Sequence, residues 1–200
     1  MRMSGLPLHV SDDGVQFHVH PVPCRQVFDV PEYHLFDIRP DDRVLDIGAN
    51  AGAFSLRAAR MSRFVTAVEP VTAMILAGNF RLNGVDARII EAGLGDGRPA
   101  VCRWDDESAL VPTFTLGALV EMAGGCDFLK CDCEGAEYLI RPAELDGIRR
   151  IEMELHLPPI SGPPAPALLD YINARYEYTI ERKPCHDVLG VMGVLHAELR

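Results

Sequence analysis

The chain has 200 residues, 48% of them apolar, and a formal charge of −10. That length suits one domain with small additions and is ample for a core, and the negative balance argues against an extended nucleic-acid footprint. No apolar run approaches the ~20 residues that span a bilayer, and the start of the chain has no long apolar core after its charge, so the expected location is the cytoplasm, with no membrane partner.

Residues 8–10 and 15–19 flank a turn at Ser11-Asp12-Asp13-Gly14 and read as a small hairpin ended by Pro21 and Pro23. Residues 30–36 read as a short helix with Pro31 at its first position. From residue 43 strand and helix patterns alternate. Strands are expected at 43–47, 64–69, 87–90, 126–132, 150–156, 176–180 and 188–195, with a short extra strand near 100–104. Helices are expected at 54–60, 71–83, 115–122, 137–145 (interrupted at Pro142) and 167–175. This alternation predicts an α/β fold: a Rossmann-like, doubly wound, mainly parallel seven-stranded sheet with a small N-terminal β-hairpin extension. The expected division is an extension over 1–40 and a main domain over 41–200.

Six cysteines (Cys24, Cys102, Cys126, Cys131, Cys133 and Cys185) form no C-x-x-C pair. They read as free thiols rather than a disulfide or zinc framework. His9, His18, His20 and His34 have no ligand spacing, and no metal site is expected.

In such a sheet, ligands bind beyond the C-terminal strand ends, at the topological switch point. The strand ends here carry Asp46 to Gly52, Glu69-Pro70, Glu91 to Leu94, Asp132 to Glu137 and Glu154 to His156. The run Gly48-Ala49-Asn50-Ala51-Gly52 sits between a strand and a helix, where glycine lets a ligand approach the backbone. Glu69 follows by about the twenty residues expected of an acid that accepts hydrogen bonds from ribose hydroxyls. The third glycine of a dinucleotide fingerprint is missing, as is any G-K-[ST] phosphate loop. A ligand carrying adenosine without pyrophosphate therefore fits better than NAD.

Asp46-Ile47-Gly48-Ala49-Asn50-Ala51-Gly52 resembles the first motif of class I S-adenosylmethionine-dependent methyltransferases. Together with Asp132-Cys133-Glu134-Gly135-Ala136-Glu137 and Glu154-Leu155-His156, it resembles the FkbM-type methyltransferase family over about residues 30–157. The resemblance implies S-adenosylmethionine as cofactor. Its binding residues would be Asp46, Gly48, Ala49, Asn50, Gly52, Glu69, Pro70, Gly93, Leu94 and Asp132. Asp132, Glu134 and His156 are the candidate catalytic groups, since a hydroxyl acceptor must lose a proton during transfer. The implied activity is O-methylation of a small hydroxylated acceptor, such as a sugar or polyketide-like alcohol. The alternatives are an RNA (tRNA) methyltransferase and a non-catalytic module that binds the cofactor. The segments near Phe17-His18, Glu32-Tyr33 and 158–166 are expected to wall the acceptor site.

Overall fold

A computed structural model of the chain describes residues 7–18, 32–104, 107–182 and 190–200. Two short strands, β1 (Leu8–Val10) and β2 (Gln16–His18), pair antiparallel as the expected hairpin. The main chain pattern then runs β3 (Arg43–Ile47), α1 (Ala53–Ala58), β4 (Phe64–Val68), α2 (Ala73–Leu82) and β5 (Arg88–Ile90). A small excursion follows: β6 (Gly93–Leu94), β7 (Ala100–Trp104), β8 (Glu107–Val111) and β9 (Thr113–Phe114). The second half comprises α3 (Leu116–Ala123), β10 (Phe128–Cys131), two 3-10 turns (Ala136–Leu139 and Pro142–Leu145) and β11 (Arg150–His156). It ends with α4 (Pro166–Arg175), β12 (Tyr176–Glu181) and β13 (Val191–Leu199).

Seven strands form one sheet in the order β12-β13-β11-β10-β3-β4-β5. The pairs among β5, β4, β3, β10 and β11 are parallel, while β13 lies antiparallel between β11 and β12. The sheet is therefore mixed, with one reversed strand in an otherwise parallel array. From β3 the chain moves outward through β4 and β5, then returns to place β10 and β11 on the other side of β3. The switch point lies between β3 and β10, so their C-terminal ends open the crevice where such sheets bind ligands.

One sheet face is apolar. Leu45, Ile47, Leu129, Cys131, Ile151, Met153 and Leu155 pack there against Leu116 and Leu119 of α3 and Leu168 and Ile172 of α4. Thr115 caps α3 by accepting from the Ala118 amide, and Glu144 adds an acceptor for the Gly117 amide. On the opposite face, Phe54 and Leu56 of α1 and Ile75, Leu76 and Phe80 of α2 cover the β3–β4 side.

The hairpin joins that layer instead of standing apart. Val15 and Phe17 are buried with α1 and α2. Asn79 accepts from the His18 amide at 2.7 Å and donates to its carbonyl at 3.1 Å; Asn83, one turn later, does the same for Gln16 at 3.0 and 2.7 Å. Two carboxamides thus stand in for the missing strand partner of β2. Buried Phe17 is core and not an acceptor wall.

Two expected helices take other forms. Residues 32–36 make bends and turns, because the His34 amide donates to the Glu152 side chain at 2.9 Å instead of to a helical carbonyl. Residues 137–145 form the two 3-10 turns, divided where Pro142 lacks an amide to continue the ladder. Gly93-Leu94, expected as loop, pairs with β9, and the last strand runs four residues further than expected because β11 and β12 flank it on both sides. The expectations for His20, Pro21, Pro23, Cys24, Val30, Pro31, Cys185 and Val188 concern positions outside the described residues. Among the described residues, no helix is long and apolar enough to cross a membrane.

Candidate active site

The turn after β3 owes its shape to its glycines. Gly48 and Gly52 have φ of +74° and +92°, and Asn50 shares the left-handed region at +49°. A Cβ on Gly48 would sit 1.7 Å from the Asp132 carbonyl oxygen, so only glycine lets the ends of β3 and β10 approach this closely. The Gly48 and Ala49 amides donate to the Val68 carbonyl, tying the turn to the end of β4.

Glu69, the next residue along β4, is buried and closes the connection. Its Oε2 accepts from the Asn50 amide at 2.8 Å, and its Oε1 accepts from the Val71 and Thr72 amides at 2.7 and 2.9 Å. Gly48 to Gly52, Glu69 and Pro70 therefore share one rim. The carboxylate already holds the turn and the start of α2 with three bonds. Among the described residues Oε1 accepts two bonds and Oε2 one, which leaves Oε2 one of its two acceptor positions. Gly93 and Leu94 belong to a neighbouring layer: their backbone pairs with β9, and the Leu94 side chain is in the core.

Beneath the turn runs a buried charged row. Asp46, Lys130, Glu152 and His196 are direct neighbours across β3, β10, β11 and β13, each with less than 5% of its surface exposed. Lys130 Nζ donates to the Gly48 carbonyl at 2.8 Å and pairs with Asp46 Oδ1 at 3.2 Å and Asp132 Oδ2 at 3.8 Å. Burial alone would lower its pKa, but the Asp46 and Asp132 carboxylates outweigh this and raise it. Asp46 also accepts from Ser55 Oγ at 2.5 Å. Its role is internal: it holds Lys130 and the first turn of α1. Residues 33–34 cover the row. The Tyr33 ring lies 5.1 Å from Lys130 Nζ, and the His34 ring stacks on His196 at 3.7 Å.

At the strand ends the row gives way to an acid–histidine cluster. His156 is 1% exposed. Its Nδ1 and its backbone amide both lie against Glu137 Oε1, at 3.0 and 2.9 Å, while Glu137 Oε2 accepts from the Gly135 amide. Its Nε2 faces Glu154 Oε2 at 3.2 Å, Glu134 Oε2 at 3.5 Å and Asp132 Oδ1 at 3.9 Å. Burial would lower the His156 pKa, but hydrogen bonds to Glu137 and Glu154 raise it to about 11. Burial and the neighbouring Asp132 charge push Glu154 up to about 8. Burial, then Asp132, raises Glu134 as well. For Asp132 burial opposes ionisation, but Lys130 and His156 prevail and hold its carboxyl below the usual range. Tyr33 donates its hydroxyl to Asp132 Oδ2 at 2.9 Å.

The three candidate catalytic residues Asp132, Glu134 and His156 thus meet at one point, beside the glycine turn. Sequence reasoning left out Glu154 as a site residue, assigned Lys130 no role and used Tyr33 only as a wall. The missed signal is the period-two polarity of Arg150-Ile151-Glu152-Met153-Glu154-Leu155-His156 and of Lys130-Cys131-Asp132. A strand of a buried sheet that alternates charged and apolar residues has a charged layer on one face. The loop after β11 also reaches the cluster: a Cβ on Gly135, whose φ is +101°, would lie 2.6 Å from Ser161 Cβ.

Sequence comparison finds no matching family model and no matching curated protein. Structural comparison finds many similar folds. An rRNA methylase from Streptococcus thermophilus matches at TM-score 0.55 and 11% identity, over 83% of this chain and 92% of that one. Methyltransferase FkbM from Methylobacillus flagellatus KT matches at TM-score 0.58 and 14% identity, over 82% of this chain and 45% of that one. TYW2 of M. jannaschii, solved in complex with AdoMet, matches at TM-score 0.54 and 17% identity, over 96% and 86%. At such identities the likeness is one of fold. The chain has the Rossmann-like fold of these methyltransferases, with a glycine turn and an acid–histidine cluster at its switch point.

Proposed function

We propose that the chain is an S-adenosylmethionine-dependent methyltransferase that methylates a hydroxyl group of a small acceptor, such as a sugar or polyketide-like alcohol. The observation that carries this reading is the shared rim. The Gly48–Gly52 turn, Glu69 and ionised Asp132 stand together at the ends of adjacent strands, next to Glu154 and His156. The residues fit the cofactor. The open acceptor position on Glu69 suits a ribose hydroxyl, and the negative rim suits a ligand that carries a sulfonium and an ammonium group. Gly93 and Leu94 remain candidates to flank the adenine from the neighbouring layer.

When bound, S-adenosylmethionine supplies a methyl group activated by its sulfonium. The chain's contribution is alignment, exclusion of water and removal of one proton. The Gly48–Gly52 turn and Glu69 would hold the cofactor, whose sulfonium would release the methyl group to an acceptor oxygen and leave as the neutral thioether. The acceptor's hydroxyl proton passes to a carboxylate of the cluster. Asp132, the carboxylate that stays ionised, is positioned for that task and is held by Tyr33 and Lys130. His156 is the positioning residue that keeps the carboxylates together. Residues 41–200 form the catalytic domain, 1–40 its extension, and the expected location is the cytoplasm.

An RNA acceptor is the second reading, favoured by the rRNA methylase among the similar folds. Among the described residues, three arginines, Arg43, Arg63 and Arg88, line a cavity of about 330 Å³ at the N-terminal strand ends. That is the opposite end of the sheet from the cluster, which is why the small acceptor is preferred. Incubation with methyl-labelled S-adenosylmethionine and a cell extract fractionated into small molecules, RNA and protein tests the reading. Label is expected in the small-molecule fraction. Label in RNA alone would overturn the acceptor class, and tight cofactor binding without any transfer would support a non-catalytic module.

A further inference from the structure

Two groups of side chains among the described residues have the composition of a metal site: His34 with Glu152 and His196, and Asp132 with Glu154 and His156. The first is already filled by a cation of the protein itself. The Arg150 guanidinium lies 2.8 Å from Glu152 Oε1 and 3.3 Å from His34 Nδ1. The second holds no guanidinium or ammonium of a described residue at its centre. Lys130 lies on the far side of Asp132, 3.8 Å from Oδ2, which leaves Oδ1 facing the cluster.

We propose that Asp132, Glu154 and His156 bind one divalent first-row metal ion, with Glu134 supplying a further oxygen. Three observations converge on it. The donor atoms of Asp132, Glu154 and His156 lie within 4.8 Å of one another. The separations from His156 Nε2 are 3.2, 3.5 and 3.9 Å to Glu154, Glu134 and Asp132. Donors bonded at about 2.1 Å stand roughly 3.0–3.4 Å apart in octahedral or tetrahedral shells, so small side-chain shifts close the site. Second, the imidazole is set as a ligand. Glu137 sits behind Nδ1 at 3.0 Å, and Nε2, buried, faces the carboxyl groups of Glu154, Glu134 and Asp132, so that a metal would take the place of a proton there. A metal-bound histidine is held in this way by a carboxylate behind it. Third, Asp132 is braced from behind by the Tyr33 hydroxyl. One imidazole nitrogen with carboxylate oxygens suits Mn²⁺ or Zn²⁺.

This site departs from the sequence expectation of no metal. Its role, though not its existence, rests on the methyltransferase reading: a cation beside Asp132 would lower the pKa of an acceptor hydroxyl bound there. The test is titration of the chelator-treated full chain with Mn²⁺ alone, followed by electron paramagnetic resonance. One Mn²⁺ per chain is expected, with nitrogen coupling from histidine in the spin-echo spectrum, and Glu154→Gln should weaken binding at least tenfold. Absence of saturable binding, absence of nitrogen coupling, or unchanged affinity in Glu154→Gln would overturn the site. Should Glu154→Gln fail to fold, the nitrogen coupling in the unaltered chain decides. Calorimetry with S-adenosylmethionine on the metal-free chain separates the two claims. Cofactor binding without Mn²⁺ binding sinks only the metal site, and the reverse sinks only the methyltransferase reading.

Discussion

Lys130→Met removes the cation on which the glycine turn rests. In the folded chain Lys130 is almost fully buried, with Nζ 2.8 Å from the Gly48 carbonyl and 3.2 Å from Asp46. Methionine fills much the same space, so packing is largely kept and the loss is electrostatic. Asp46, with no exposed surface, would retain the Ser55 hydroxyl but no opposite charge. Breaking a buried pair from one side costs about 3–5 kcal/mol. For a domain of this size that lowers Tm by about 6–20 °C. Asp46→Asn in the same chain removes the stranded charge, so the double variant should melt above Lys130→Met, although two substitutions ordinarily accumulate damage. Thermal unfolding followed by circular dichroism measures both. A shift below about 2 °C for Lys130→Met, or a double variant no more stable than the single one, would refute the buried-pair account.

Other consequences are local. Glu69→Ala should weaken S-adenosylmethionine binding by about 1–3 kcal/mol, roughly 5–150-fold by calorimetry. It should also lower Tm, because three amides lose their acceptor. Gly135→Ala sets a methyl group against Ser161 at a left-handed backbone position. About 1–3 kcal/mol of stability should be lost in urea unfolding, with faster proteolysis in 158–166. Glu144 is held at about 2, below its ordinary 4.5: burial opposes ionisation, but bonds from Arg141 and the Gly117 amide outweigh it. Its contribution is therefore present above pH 4.5 and lost as pH falls from there toward 2. Glu144→Gln should be less stable than the unaltered chain at neutral pH and show a shallower loss over that acid window.

Much of the fold was legible because burial forces a period on each element. The strands at 43–47, 64–69 and 150–156 and the helix at 167–175 stand close to where their patterns put them. The glycine turn was legible because few residues tolerate its geometry, and Gly48 has no room even for a methyl group. What escaped were features fixed by tertiary contact. Residues 32–36 give up a helix because the His34 amide finds Glu152, more than a hundred positions away. Glu69 reads from its spacing as a ribose acid, yet three of its acceptor positions serve the protein's own amides. Lys130 and Glu154 look like ordinary strand charges until Asp46, Asp132 and His156 are set beside them across the sheet.

The proposed cofactor site would place an adenosyl group across the ends of β3, β4 and β10. A crystal structure of the chain with S-adenosylhomocysteine tests it most directly. The ribose is predicted beside Glu69, the amino-acid portion against Gly48 to Gly52, and the sulfur on the side of Asp132. Density for the ligand at any other edge of the sheet, or none at saturating concentration, would contradict it.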